Sequence, residues 1–186
     1  MTKTRLLLAA LAASGLALVA SAVAPAVARA GGGDNTAVAV NTRDNSSVYR
    51  FSFKILRVNK DVVDNGNAAV AVASCTDCRT VAVAIQVLLI TDDASVVTPT
   101  NLALALNVDC TNCETLADAY QWVSSEGDPV RVHFTPEGNR RLAEIRREGH
   151  ALRHSDLPLL DLQARIEQLA AEVGYVLAND LVQAGH

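Results

Sequence analysis

Residues 71–88 read AVASCTDCRTVAVAIQVL and residues 106–123 read LNVDCTNCETLADAYQWV. Laid at an offset of 35 residues, the stretches superpose both CxxC motifs, and Ala84-Ile85-Gln86-Val87 falls on Ala119-Tyr120-Gln121-Trp122. Each is an alternating run, a polar turn and a second alternating run. Residues 36–56, TAVAVNTRDNSSVYRFSFKIL, have the same shape about one period earlier, without cysteines. A fixed internal period marks a repeat architecture, and alternation at every second residue predicts strands. Val81, Val83, Ile85, Val87 and Leu89 share one face, opposite Ala82, Ala84 and Gln86. Leu102, Leu104, Leu106 and Val108 oppose Ala103, Ala105 and Asn107, and Tyr49, Phe51, Phe53 and Ile55 oppose Arg50, Ser52 and Lys54. One face is large and apolar; the other is mostly alanine, shallow enough to admit a closely approaching helix or to be thinly covered.

The reading that follows is an α+β fold: three related antiparallel β-hairpins of about six strands, then two C-terminal helices. DNGN (residues 64–67) and TDDASVVTPTN (residues 91–101) supply the linking turns.

Beyond the repeat the period changes. Thr135 as N-cap, Pro136 at the first helical position and Glu137 in the first turn start one helix, which Gly149 weakens near its end. A second begins near Ser155, Asp156 and Pro158. Its Leu159, Leu162, Ile166, Leu169, Val173 and Val176 form a seam spaced three and four apart, suited to packing on a sheet or to a homodimer through a short coiled coil. The chain therefore divides into 31–134, the hairpin region, and 135–186, a helical region packed on it.

Residues 1–30 read as a signal peptide. Lys3 and Arg5 precede an uncharged Leu/Ala/Val run, and A-x-A options lie at residues 26–28 and 28–30. Cleavage places the mature chain outside the membrane, secreted and not spanning it. It also removes three of the 16 basic residues and none of the 20 acidic ones, leaving a net charge of −7. That balance argues against nucleic acid or anionic lipid as the main partner.

All four cysteines lie in the two CxxC motifs: Cys75, Cys78, Cys110 and Cys113. In an exported chain, close pairs read as disulfides. Facing residues of a hairpin sit within bridging distance, and each small loop contributes about 1–2 kcal/mol. Two other readings stay open. CxxC spaced 31 residues from CxxC has the shape of a four-thiolate zinc site. Thiol–disulfide exchange is the other, but it normally needs a helix N-terminus to acidify the thiol, and here the flanks are strands. His150 and His154, one helical turn apart, could share a metal, but Ala151 stands where a zinc peptidase needs its general-base Glu. The bland reading of that pair is an exposed basic helix face. No catalytic motif is present, which leans away from an enzyme.

Taken together, AVAVNTRDNSSVYRFSF, NAAVAVASCTDCRTVAVAIQVLL, VVTPTNLALALN, CTNCETLADAYQWV, HFTPEGNRRLAEIRRE and LRHSDL resemble a family of exported actinobacterial proteins commonly labelled "peptide zinc metalloprotease protein". The resemblance implies a domain that also occurs as an extracytoplasmic tail on larger membrane proteins with a metalloprotease-like region. This chain has neither the membrane helices nor HExxH, so the label's peptidase activity carries over to no residue here. The expectation is a secreted, non-catalytic binding or structural module without a cofactor. Its partner would be an unknown protein or cell-envelope component. The alternative is a zinc-binding protein, or a peptide zinc metalloprotease as the family label implies.

Overall fold

A computed structural model describes residues 33–125 and 131–184; the signal-peptide reading of residues 1–30 lies outside them. In chain order the elements are β1 (Asn35–Asn41), β2 (Ser47–Val58), β3 (Val62–Val63), β4 (Gly66–Ala73), β5 (Arg79–Ile90), β6 (Val96–Val97), β7 (Thr100–Asn107), β8 (Glu114–Ser125) and β9 (Arg131–Phe134). Then come α1 (Pro136–Ala151), a 3-10 turn (Leu152–His154), α2 (Leu159–Asn179) and β10 (Leu181–Ala184).

The repeat is real, but the hairpins are not. β1, β4 and β7 form one parallel sheet, β2, β5 and β8 a second, and β3 pairs with β6 in a third strip. Each strand–turn–strand unit is therefore an arch. Its two arms face each other across an interior, and each arm bonds to the same arm of the next unit. Stacked arches make a three-coil parallel solenoid, so the expectation of antiparallel hairpins with about six strands is overturned: the described residues hold ten strands, eight of them paired in parallel. The only antiparallel pair among the described residues is β9 with β10. Alternation reports which face a residue takes but not which strand its backbone bonds to, and a repeat stacked on itself in register is parallel by construction.

The alanine face is the inside of the solenoid. Ala37, Ala39, Ala69 and Ala71 of the first sheet meet Ala82 and Ala84 of the second, with Val48, Ala117 and Ala119 packed beside them. Five-residue turns at 42–46 and 74–78 join the two arms of the first and second coils. Amide ladders close the interior. Asn35 Nδ2 donates to Asn67 Oδ1 and Asn67 Nδ2 to Asn101 Oδ1, both at 2.8 Å. The same three amides cross the interior to carbonyls of Ile85, Ala84, Tyr120 and Ala119. Gln121 Nε2 donates to Gln86 Oε1 at 2.7 Å near the far end of the second sheet. Asn67 and Gln86 are almost fully buried, and these bonds are what make their burial tolerable.

The large apolar face of the second sheet points outward and is covered by both helices. Val81, Val83, Ile85, Val87 and Leu89 form one core with Leu142 and Ile145 of α1 and Leu162, Ile166, Leu169, Val173 and Val176 of α2. The α2 seam is thus buried against the sheet. Thr135 caps α1, its Oγ1 accepting from Gly138 N at 2.9 Å. α2 starts later than the sequence implied. Pro158 is its N-cap position, without a side-chain cap, and Ser155 Oγ instead accepts from Leu157 N. Gly149 lets α1 approach the sheet, because a Cβ there would overlap the Phe51 ring.

Candidate functional site

The two CxxC motifs occupy the same turn of coils two and three. Thr76 and Thr111 bridge in parallel, Asp77 N donates to Thr111 O at 3.0 Å, and Glu114 N donates to Cys78 O at 2.9 Å. The turn places a left-handed residue at the same position of each coil: Asn45, Asp77 and Asn112, at φ 53°, 52° and 53°. Asn and Asp are the non-glycine residues that tolerate this conformation best. RDNS, CTDC and CTNC are therefore three copies of one turn, and the first coil carries Arg43 and Ser46 where its neighbours carry cysteine.

The alignment slips once. β4 pairs with β7 at an offset of 34 residues and β5 with β8 at 35, so the third turn holds an extra residue. Asp109, also left-handed at φ 48°, lies in that lengthened stretch.

Cys75 with Cys78 and Cys110 with Cys113 stand at disulfide distance, with Cα separations of 6.1 and 6.0 Å. The first pair is 5% and 4% exposed; the second is only partly buried. The pairs also meet each other. Cys78 Sγ lies 3.4 Å from Cys113 Sγ, and all four Sγ atoms fall within 4.8 Å of one another. Parallel stacking causes this, since equivalent residues of adjacent coils sit one strand spacing apart, about 4.8 Å. Tetrahedral zinc with Zn–S bonds of about 2.3 Å needs sulfurs about 3.8 Å apart; the cross-coil pair at 3.4 Å comes near that spacing, whereas within each coil the sulfurs are joined as a disulfide. Arg79, next to Cys78, bridges to Glu114 at 2.6 Å on the following rung.

The histidine pair takes no comparable form. His150 meets Phe51 edge-on with centroids 5.1 Å apart, and His154 Nε2 accepts from Arg153 Nε at 2.8 Å. Among the described residues, the four cysteines are the only cluster of three or more metal-ligating groups.

Sequence reasoning passed over Asp118. It replaces an apolar residue on the helix-covered face of the second sheet, paired with Val83, which pairs with Phe51. Burial, and secondarily the charge of Glu167, raises its carboxyl to about 6. Its Oδ2 is buried without a hydrogen-bond partner among the described residues. Burial first, then Asp118, holds the Tyr49 hydroxyl above the usual tyrosine range; burial, Asp118 and Glu167 push Tyr120 up to about 12. The signal was available: in LADAYQW a single acid interrupts the large apolar face.

No described helix is long and apolar enough to cross a membrane. Comparison with protein-family models, with curated proteins and with solved structures finds no match.

Proposed function

We propose that this chain is an exported, non-catalytic binding module: a short solenoid stapled by two cystines that presents a flat surface to a protein partner at the cell envelope. One observation carries the reading. The helices cover the outer face of the second sheet; on the outer face of the first sheet the first and third strands stay open, with Val70 of the middle strand buried between them. There Val38, Val40 and Leu102 are 46%, 48% and 43% exposed, and Leu104 and Leu106 are partly exposed beside them. Exposed apolar surface gathered on one rigid face marks an interaction site, and solenoids use such extended faces for binding. The leader-like residues 1–30 support export. The family resemblance supports a partner among membrane-anchored, peptidase-like proteins, with this chain as accessory domain and not as peptidase.

The test uses the full chain in its producing cells. The mature protein, beginning near residue 31, is expected with the envelope fraction. A Val38→Lys/Val40→Lys/Leu102→Lys variant is expected to fold with unchanged circular dichroism and to appear free in the medium. Wild-type protein retained in the cytoplasm would sink the export reading. Equal envelope retention of the variant would sink the binding face.

A further inference from the structure

The geometry points to a redox-gated zinc site: on reduction, Cys75, Cys78, Cys110 and Cys113 bind one Zn2+ between the second and third coils. This goes beyond the binding-module reading and does not depend on it, because it rests on the sulfurs and not on the open face of the first sheet. The four Sγ atoms already lie within 4.8 Å of one another, with the cross-coil pair Cys78–Cys113 at 3.4 Å. Two CxxC motifs on stacked rungs supply the two arms of a structural four-thiolate centre. Cα separations of 6.1 and 6.0 Å leave room for each bonded pair to open to about 3.8 Å by side-chain rotation, the spacing that tetrahedral zinc requires. The backbone frame is held independently of the sulfurs by the bonds of Asp77 N to Thr111 O and Glu114 N to Cys78 O. The frame that brings the four cysteines together therefore does not depend on the S–S bonds.

The chemistry balances with a dithiol reductant. Each cystine takes two electrons and two protons from one dithiol, which becomes a disulfide. The partly exposed Cys110–Cys113 bond is reached before the buried Cys75–Cys78 bond. Zn2+ then displaces the four thiol protons, leaving a centre of net charge −2 beside the guanidinium of Arg79. Reoxidation forms two S–S bonds, transfers four electrons to the oxidant and expels the metal.

The experiment treats purified mature protein anaerobically with a phosphine, which turns each disulfide and one water into two thiols and a phosphine oxide and adds no competing thiol. Co2+ or Zn2+ alone is the probe. The expected result is one metal per chain in the reduced protein, none in the oxidised protein, and the thiolate-to-cobalt charge-transfer bands of a tetrahedral site. Cys110→Ser/Cys113→Ser, in which only Cys75 and Cys78 remain, should weaken zinc by more than about 100-fold. Stoichiometric binding unchanged in that variant would overturn the proposal. So would a folded reduced protein without metal, or a reduced chain that stays unfolded in excess Zn2+.

Discussion

Asp118 shows how one residue sets a pH dependence. Its carboxyl titrates near 3.8 in a solvated chain and near 6 in the fold. Between those values the folded state holds more protons than the unfolded one, so stability falls as pH rises through that window and the loss is complete above about 6. Asp118→Asn keeps the shape and removes the charge. After discount for partial exposure it should stabilise the protein at neutral pH by about 1 kcal/mol, and the gain should vanish near pH 4. Thermal melts of both proteins across that range check it, and a gain independent of pH would contradict the assignment. Gly149 is constrained by its neighbours on the sheet. Its place in a helix looks like a weakness, yet the Phe51 ring occupies the space of a side chain, and Tyr49 Oη donates to its carbonyl at 2.9 Å. Gly149→Ala would improve helix propensity but should still destabilise by about 1–3 kcal/mol through overpacking. A melting temperature equal to or above wild type would show that Phe51 yields freely.

At the scale of the element, the strands, the period and the faces were legible, and the pairing was not. The face assignments of Val81 to Leu89 and of Ala82 to Gln86 hold in the solenoid as they would in a hairpin. What distinguishes an arch is which arm receives the hydrogen bonds. The clue lay in residues that match between repeats and not within one: Asn67 over Asn101, Gln86 over Gln121, and Asp77 over Asn112, whose Nδ2 donates to Asp77 Oδ1 at 2.6 Å. Such amide rungs stabilise only when like residues stack, which a parallel repeat enforces. For the cysteine site, the motif revealed the partners within each coil, while the approach of Cys78 to Cys113 required knowing the stacking. The same stacking sets the worth of the staples. Each cystine closes a very small loop whose backbone is already held by the next coil. Cys110→Ser/Cys113→Ser should therefore lower stability in the oxidised state by about 2 kcal/mol or less and preserve the strand signal in circular dichroism. Complete unfolding in urea-free buffer would mean that the turn is held by sulfur and not by the ladder.

Across the whole molecule, the solenoid is a one-dimensional stack with unequal ends. The middle coil has a neighbour on both sides, whereas β7 and β8 each have a solenoid strand on one side only. Ala69 and Ala71 are fully buried, while Ala103 and Ala105, at the equivalent interior positions of the third coil, are exposed. Interior-facing side chains open to solvent mean that the third coil of the first sheet is less well covered than the second. In stacked repeats, stability is nearly a sum of each unit and its nearest-neighbour interfaces, so an end with one interface opens first. The second sheet differs, because α1 and α2 lie across it and share one core with all three of its strands. Hydrogen exchange should therefore be graded in two directions. Amides of β4 and β5 should be the most protected, β8 should follow because the helices hold it, and β7 should exchange fastest of the three-stranded sheets. Ile166→Ala, which removes a fully buried contact of α2, should cost about 2–5 kcal/mol and bring β8 toward the rate of β7. Its effect on β4, which lies behind the alanine interior, should be smaller. Uniform exchange across β4, β7 and β8 in the wild-type protein would mean that the coils open together, and the one-dimensional account would fail.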